Sequence, residues 1–292
     1  MPANSGSPRR SLPVLKRLSW LAVWLLLGCG QIAGDAAFRD TSQFPTFSPT
    51  LTPAPTRTLP PPDTGWITIA PGMEQRELTL FSTEADIADN LFIIRLDPAR
   101  YRLDIAYHPA DPQTLTAWLA ELEGAALVAN GGFFTPEYIA TGRIIVNGEG
   151  SGQSYEGSHA GMLVITAGQP PQIRWLNQRP YDPLEAIQAG IQSFPMLVRP
   201  GGESGYTVQD EQRARRTAIG LDTTGRVLLI VSGRSHFTLA QFSEFLTSSD
   251  LNLDVALNLD GGASSGLLLA SGDGLPAFSP LPAVIAAYPI TE

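Results

Sequence analysis

The sequence predicts an α+β fold of mixed, largely antiparallel sheets with a few packed helices, in a single domain. Short apolar or alternating runs recur along the chain between glycine-rich and proline-rich turns, which is typical of strands. Only two segments have the apolar period of a helix. These two do not alternate regularly with the strands, as the helices of a doubly wound parallel sheet do, so a largely antiparallel arrangement is favoured.

The N-terminal region predicts export. Four basic residues, the last of them Arg17, are followed by the apolar run "LSWLAVWLLLG" at 18–28, which is too short to span a membrane. We therefore predict a signal peptide over 1–28. The stretch "LLGC" resembles a bacterial lipobox, so Cys29 is expected to be lipidated and to anchor the protein outside the cytoplasm, at the cell membrane. The alternative is an ordinary signal peptide and a secreted protein.

Residues 29–64 are predicted to be a linker. From 40 to 64 they are dense in Pro, Thr and Ser, a composition that stays extended and solvated. The folded domain is expected to cover 65–292, which is long enough to bury a sizeable core.

Two hairpins and two helices stand out within that domain. "LFIIRLD" and "YRLDIAY" predict a hairpin around Pro98, and "LDTTGRV" predicts a tight turn between two further strands. The helix over 238–249 begins with a capping box, because Gln241 follows Thr238 by three residues. A second helix is predicted over 114–123.

Composition excludes several kinds of chemistry. Cys29 is the only cysteine and Lys16 the only lysine, so the mature chain has no lysine for a Schiff base or a P-loop and, once Cys29 is lipidated, no free thiol. The formal net charge of −9 becomes −13 when the four basic residues of the signal peptide are removed, which argues against binding nucleic acid.

Four glycine-rich turns at strand ends predict a binding site. They are "ANGGFF", "VNGEGSG", "VRPGGESG" and "NLDGGASSG", and consecutive glycines allow backbone amides to point at one anion. The last contains G-x-S-x-G around Ser264, the pattern of a serine hydrolase. In α/β-hydrolases the histidine follows the serine, however, whereas all three histidines here precede Ser264.

The motifs "NGGFF", "RRTAIGLD", a strand ending in "SGR", a capped helix and "ALNLDGGASS" occur in this order in the phosphodiester glycosidase family, which the chain resembles over about residues 90–290. The family usually reads Asp-Gly-Gly-Gly-Ser, and here Ala263 replaces the third glycine. Because alanine tolerates positive φ poorly, either this position is not left-handed or the loop differs.

The resemblance implies hydrolysis of a sugar-1-phosphodiester between the anomeric carbon and the phosphate oxygen. Asp260 is the expected catalytic carboxylate, and a second acid or base is sought among Glu137, Glu149, Glu156 and His159, with Glu137 and His159 carried forward as catalytic candidates. Arg216 is the preferred phosphate clamp and Arg234 the second choice. An anion nest is expected from the backbone amides of four glycines, Gly131, Gly132, Gly261 and Gly262. The full predicted substrate and phosphate set is Asn130, Gly131, Gly132, Arg216, Thr217, Arg234, Asn258, Gly261, Gly262 and Ser264.

The expected partners are a sugar-phosphate or glycan substrate and, through the lipid, the membrane. No cofactor or metal site is predicted, and a divalent cation held by Asp260 and Asn130 stays open. Two other functions stay open as well, a non-catalytic glycan-binding or cell-wall scaffold and a serine hydrolase using Ser264.

Overall fold

In the computed structural model of the protein, residues 62–81, 87–155 and 157–290 are described. Every strand pair in these ranges is antiparallel. The expected β-rich, helix-poor and largely antiparallel architecture is confirmed for this part of the chain, and the parallel pairs that a mixed sheet would add do not occur in it. The predicted signal peptide, Cys29, most of the predicted linker and Glu156 lie outside the described residues.

The largest sheet has eight strands in the order β1 (Ile67–Ala70), β2 (Met73–Phe81), β3 (Ile87–Leu96), β14 (Val227–Ser232), β13 (Thr217–Asp222), β15 (Leu253–Asn258), β11 (Met196–Arg199) and β12 (Glu203–Ser204). A second sheet has the order β7 (Glu149–Ser151), β6 (Ile144–Val146), β10 (Ala189–Ser193), β8 (Gly161–Ile165) and β9 (Gln172–Trp175). The third has the order β17 (Gly274–Leu275), β16 (Leu267–Leu269), β5 (Leu127–Asn130), β18 (Ala283–Pro289) and β4 (Tyr101–Tyr107).

The three sheets share one hydrophobic core, which contains among others Phe92, Leu163 and Ile285. Successive strand residues point to opposite faces, so Leu91 and Ile93 of β3 pack on the other side of the large sheet. Both faces of the middle of β3 are therefore buried, which explains why residues 91–94 form an unbroken apolar run.

Two helices cover outer faces of the sheets. Helix α2 (Leu239–Ser248) begins with the predicted capping box: the Thr238 hydroxyl accepts from the Gln241 amide at 3.2 Å, and the Gln241 side chain accepts from the Thr238 amide. Its Phe242 is fully buried against the large sheet. Helix α1 (Leu115–Glu121) packs on the third sheet through Trp118, which is also fully buried. No helix in the described ranges is both long and apolar enough to cross a membrane.

One predicted hairpin is confirmed and the other is wrong. Strands β13 and β14 pair around the turn in "LDTTGRV". Strands β3 and β4, which flank Pro98, do not pair with each other: β3 pairs with β2 and β14, whereas β4 pairs with β18. The chain turns a corner at Pro98 and passes from the large sheet to the third sheet.

The folded part includes residues that the sequence assigns to the linker. Asp63 forms a β-bridge with Leu78, and its carboxylate pairs with the buried guanidinium of Arg76 at 2.6 Å. Arg76 also binds Asp250 at 3.0 Å. The hydrogen bond from Arg76 holds the pKa of the Asp63 carboxyl below its usual value.

Candidate active site

A cavity of about 440 Å³ opens where several strand ends meet. Phe133 reaches it from the loop after β5, Arg216 from the residue before β13, Phe194 from the β10–β11 turn, and Asp260 from the loop after β15. Strands β13 and β15 pair with Ala218 opposite Asn258. Continuing that antiparallel register places residue 216 opposite residue 260, so the sheet itself brings the guanidinium and the carboxylate to one site. The motifs "NGGFF", "RRTAIG" and "NLDGG" therefore each contribute a lining residue to one cavity, namely Phe133, Arg216 and Asp260.

Asp260 is held by its backbone as well as its side chain. Its amide donates to the carbonyl of Gly131 at 3.1 Å, and its own Oδ1 accepts from the Gly261 amide at 2.9 Å. Burial raises the pKa of the Asp260 carboxyl, and hydrogen bonds from Ser264 and Gly261 oppose this. Burial thus disfavours the charged form of the carboxyl, while the two hydrogen bonds favour that form and orient the carboxylate.

Arg216 carries a buried guanidinium that is held by backbone carbonyls. Its Nε donates to the carbonyl of Phe237 at 3.2 Å and its Nη2 to that of Gln212 at 2.6 Å. No carboxylate of the described ranges lies within ion-pair distance of it. Burial lowers the pKa of Arg216, with Asp210 acting in the opposite direction. The positive charge is therefore positioned by neutral carbonyls and has no neutralising carboxylate among the described residues, which suits it to bind an anion.

Asn130 and Thr217 do not contact the cavity, and their predicted role in phosphate binding is corrected. Both are fully buried. The Asn130 Nδ2 donates to the carbonyl of Asp260 at 2.8 Å, and its Oδ1 accepts from the Thr217 hydroxyl at 2.8 Å and the Gly266 amide at 3.0 Å. Asn130 therefore joins β5, β13 and both ends of the loop after β15, and it supports the site from beneath.

The predicted anion nest is not formed by the four glycines. The amide of Gly131 donates to Ala283 at 3.1 Å, that of Gly262 to Arg215 at 2.9 Å, and that of Gly261 to the Asp260 carboxylate. Gly132 is buried, and a Cβ there would lie 3.1 Å from the carbonyl of Gln192. Glycine is needed at 131 and 132 for close packing against neighbouring backbone.

The other predicted side chains separate into those at the cavity and those outside it. His159 lines the cavity, is exposed, and faces Tyr206 edge-on with ring centroids 6.4 Å apart. Glu137 and Glu149 are exposed and do not line it. The structure therefore does not support Glu137 as a catalytic residue, and His159 is the candidate that lines the cavity.

Arg234 is also exposed and does not line the cavity, so the structure favours Arg216 as the clamp. The residue that fixes the Arg234 loop is Asp89, which the sequence analysis did not single out. Asp89 is fully buried, and its carboxylate accepts from the amides of Arg234 at 2.7 Å and His236 at 3.3 Å. Burial raises the pKa of Asp89, and these amides oppose the shift. A lone Asp within an apolar strand was the available signal.

A family model described as phosphodiester glycosidase (NAGPA) matches residues 123–284, more than half of the chain. The chain belongs to the phosphodiester glycosidase family. The matched range contains every lining residue of the cavity. No curated protein sequence matches the chain.

Two solved structures share the fold. The catalytic domain of zebrafish N-acetylglucosamine-1-phosphodiester alpha-N-acetylglucosaminidase, auto-inhibited by its pro-peptide, is 17% identical with a TM-score of 0.58, and the match covers 76% of this chain and 85% of that one. A hypothetical protein from Synechocystis is 17% identical with a TM-score of 0.56, over 79% of this chain and 64% of that one. At such identity the likeness establishes the fold.

The departure from the family's glycine pattern has a simple explanation. The left-handed residue of the loop is Gly262, with φ +63°, and not Ala263. Ala263 lies within a 3-10 turn over Gly262–Ser264, where a Cβ is tolerated. Its exposed position also keeps the methyl group away from the core.

The surroundings of Ser264 do not resemble those of a hydrolase nucleophile. Ser264 is buried, lies on the 3-10 turn and does not line the cavity. Its hydroxyl lies 3.5 Å from that of Ser279, and no histidine of the described ranges hydrogen-bonds to it. A nucleophile needs a base within hydrogen-bond reach, so Ser264 is better described as a support for Asp260.

The described residues contain no group of three or more His, Cys, Asp or Glu side chains arranged to hold a metal ion. The divalent cation left open between Asp260 and Asn130 does not fit the site. The Asn130 Nδ2 already donates to the carbonyl of Asp260, and the Asn130 Oδ1 already accepts from Thr217 and Gly266.

Proposed function

We propose that the protein hydrolyses the glycosidic bond of a sugar-1-phosphodiester in an extracytoplasmic glycan or lipid. The observation that carries the proposal is that Asp260 and Arg216 line the same cavity. The Arg216 guanidinium has no carboxylate within ion-pair distance in the described ranges. A phosphodiester supplies an anion for Arg216 and, at the adjoining anomeric carbon, a developing cation for Asp260. Membership in the phosphodiester glycosidase family supports this reading.

Arg216 would bind the phosphate before reaction and stabilise it as it leaves. Within the part of the chain that the structure describes, the guanidinium Nη1 donates no hydrogen bond, and a Cβ on Gly261 would lie 3.9 Å from it. As the bond between the anomeric carbon and the phosphate oxygen breaks, its electron pair passes to that oxygen. A nearby cation in a partly desolvated cavity stabilises this added charge.

Asp260 would act on the other side of the breaking bond. The sugar becomes oxocarbenium-like, and a carboxylate can stabilise it electrostatically, attack it, or take a proton from the water that does. A phosphate monoester needs less protonation on leaving than an alkoxide does. His159 at the cavity rim is the proposed source or acceptor of the remaining proton.

The setting is part of the proposal. The basic and apolar N-terminus ending at Cys29 supports export and lipid anchoring, and the Pro- and Thr-rich stretch after it supports a spacer that extends the domain from the membrane. Substrates in the cell envelope would then be within reach.

The test is a panel of sugar-1-phosphodiesters incubated with the protein, with both products identified. Asp260→Asn keeps the shape and removes the charge, so we expect kcat to fall by roughly a hundred- to ten-thousand-fold while substrate binding is nearly unchanged. The matched control is Asp254→Asn, at the opposite end of β15 and outside the cavity, which should retain activity.

Arg216→Lys should weaken substrate binding as well as rate, because lysine keeps the charge but cannot reproduce the two-pronged geometry. Near-normal turnover by a folded Asp260→Asn protein would refute the catalytic role of Asp260. Binding of the panel by the wild type without any turnover would instead favour a glycan-binding scaffold.

A further inference from the structure

An exposed aromatic side chain lines the cavity together with Asp260 and Arg216. Phe194, in the turn between β10 and β11, is 41% exposed and lines the same cavity as Asp260 and Arg216. Solvent exposure of a large aromatic side chain gives up the stabilisation of burying it. Its position in the cavity suggests that a ligand covers it.

The Phe194 ring is supported by two other aromatic rings. Phe133, which also lines the cavity, lies with its centroid 4.7 Å away at an interplanar angle of 30°. Tyr155 contacts Phe194 edge-on, at 5.1 Å and 88°. Tyr155 is in turn hydrogen-bonded through its hydroxyl to Thr141. These contacts restrict the ring, so little side-chain entropy remains to be lost when a ligand binds on it.

The strand that carries the carboxylate also fixes the backbone of Phe194. Asn258, two residues before Asp260, donates from Nδ2 to the carbonyl of Phe194 at 2.9 Å and from its amide to the carbonyl of Pro195 at 3.0 Å. Asn258 is itself 3% exposed. Asn258 lines the cavity, so its predicted phosphate-binding role stays a prediction. Its two hydrogen bonds add a positioning role, in which it sets the distance between Phe194 and Asp260.

We propose that Phe194 is the platform on which the glycosyl ring of the substrate stacks, with Asn258 as its positioning residue; the inference rests on the proposed function and deepens it. The face of a pyranose presents several polarised C–H groups, which match the negative face of an aromatic ring. An acyclic polyol phosphate, such as glycerol phosphate, has no such face. The site therefore selects pyranosyl phosphates over polyol phosphates, although both carry the anion that Arg216 binds.

The experiment measures binding by calorimetry in the Asp260→Asn background, so that no turnover is needed. Glucose 1-phosphate, glycerol phosphate and inorganic phosphate are the three probes. We expect Phe194→Leu, which keeps apolar bulk but loses the π face, to weaken glucose 1-phosphate binding by about five- to tenfold and to leave inorganic phosphate unchanged. Phe194→Tyr should restore it. The matched control is Phe278→Leu, since Phe278 is 72% exposed and does not line the cavity.

The outcomes separate this inference from the proposed function. Equal affinity of the Phe194→Leu and parent proteins for glucose 1-phosphate overturns the platform, as does a preference for glycerol phosphate. If glucose 1-phosphate binding depends on Phe194 but the wild type hydrolyses no sugar-1-phosphodiester, the platform is supported and the hydrolase is refuted. If no probe binds the parent protein, both fall. The positioning role is supported if Asn258→Leu weakens glucose 1-phosphate binding as much as Phe194→Leu does, while the affinity for inorganic phosphate is unchanged.

Discussion

The buried amide of Asn130 offers the sharpest test of how the site is supported. Asn130→Asp changes almost no volume but replaces Nδ2, which donates to the carbonyls of Asp260 and Gly131 at 2.8 and 3.2 Å. An ionised carboxyl at this position would face carbonyl oxygens in a fully buried site. A protonated carboxyl could still donate to Asp260 and accept from Thr217. The folded state therefore favours the neutral form.

The magnitude follows from this preference. A carboxyl that stays neutral in the folded protein ionises on unfolding, with an ordinary pKa of about 3.9. Each pH unit above that value costs about 1.4 kcal/mol of the free energy of unfolding. Asn130→Asp should thus be destabilised by about 4 kcal/mol at pH 7 and by about 1.5 kcal/mol at pH 5. Because the folded pKa is raised, the variant's stability is greatest at low pH and is lost as pH rises.

The assay is urea unfolding at pH 5, 6 and 7, followed by tryptophan fluorescence, to which the buried Trp118 contributes. The control is Asn147→Asp, in an exposed turn at φ +52°, where both residue types are tolerated. That variant should lie within about 0.5 kcal/mol of the wild type at every pH.

A pH-independent difference between Asn130→Asp and the wild type would refute the reasoning, because it would show that the new carboxyl has the same pKa folded and unfolded. Equal stability at pH 7 would show that the amide does not donate to the carbonyl of Asp260. Either result would remove the support assigned to Asn130.

Three other changes test the carboxylate, the loop and the anchor. Because burial raises the pKa of Asp260 and the ionised form is the reactive one, kcat/KM should decline with falling pH through a pKa above about 3.9; a decline only below that value would contradict the shift. The same shift means that the charged form is disfavoured in the folded state, so Asp260→Asn should unfold at the same or a higher urea concentration than the wild type at pH 7.5. Gly262→Ala should cost about 1–2 kcal/mol through its φ of +63° alone, since no atom lies within 4 Å of the added Cβ; no loss would mean that the loop is not left-handed there. Labelling with palmitate in a bacterial host should tag the wild type and not Cys29→Ala, and equal labelling would exclude the lipid anchor while leaving export open.

The sequence pattern was enough to predict those secondary-structure elements that depend only on residues close together in the chain. The capping box at Thr238 lies within four residues of sequence, and the β13–β14 hairpin depends on a turn of a few residues. The same reasoning predicted a hairpin at Pro98 and was wrong, because a short turn permits either pairing or a corner. Only the competition among all strands for partners decides between the two.

The candidate site shows the same division. The sequence by itself determined that an acid followed by glycines ends a buried strand, and that an arginine pair precedes another. Asp260 and Arg216 could therefore be predicted as site candidates, and both line the cavity. Tertiary structure decided which neighbours face the cavity. Asn130 meets Thr217 across 87 residues and Gly266 across 136, and these bonds turn a predicted ligand contact into internal support. Burial and hydrogen-bond partners of this kind depend on register between distant strands, whereas a sequence motif specifies only the residues within it.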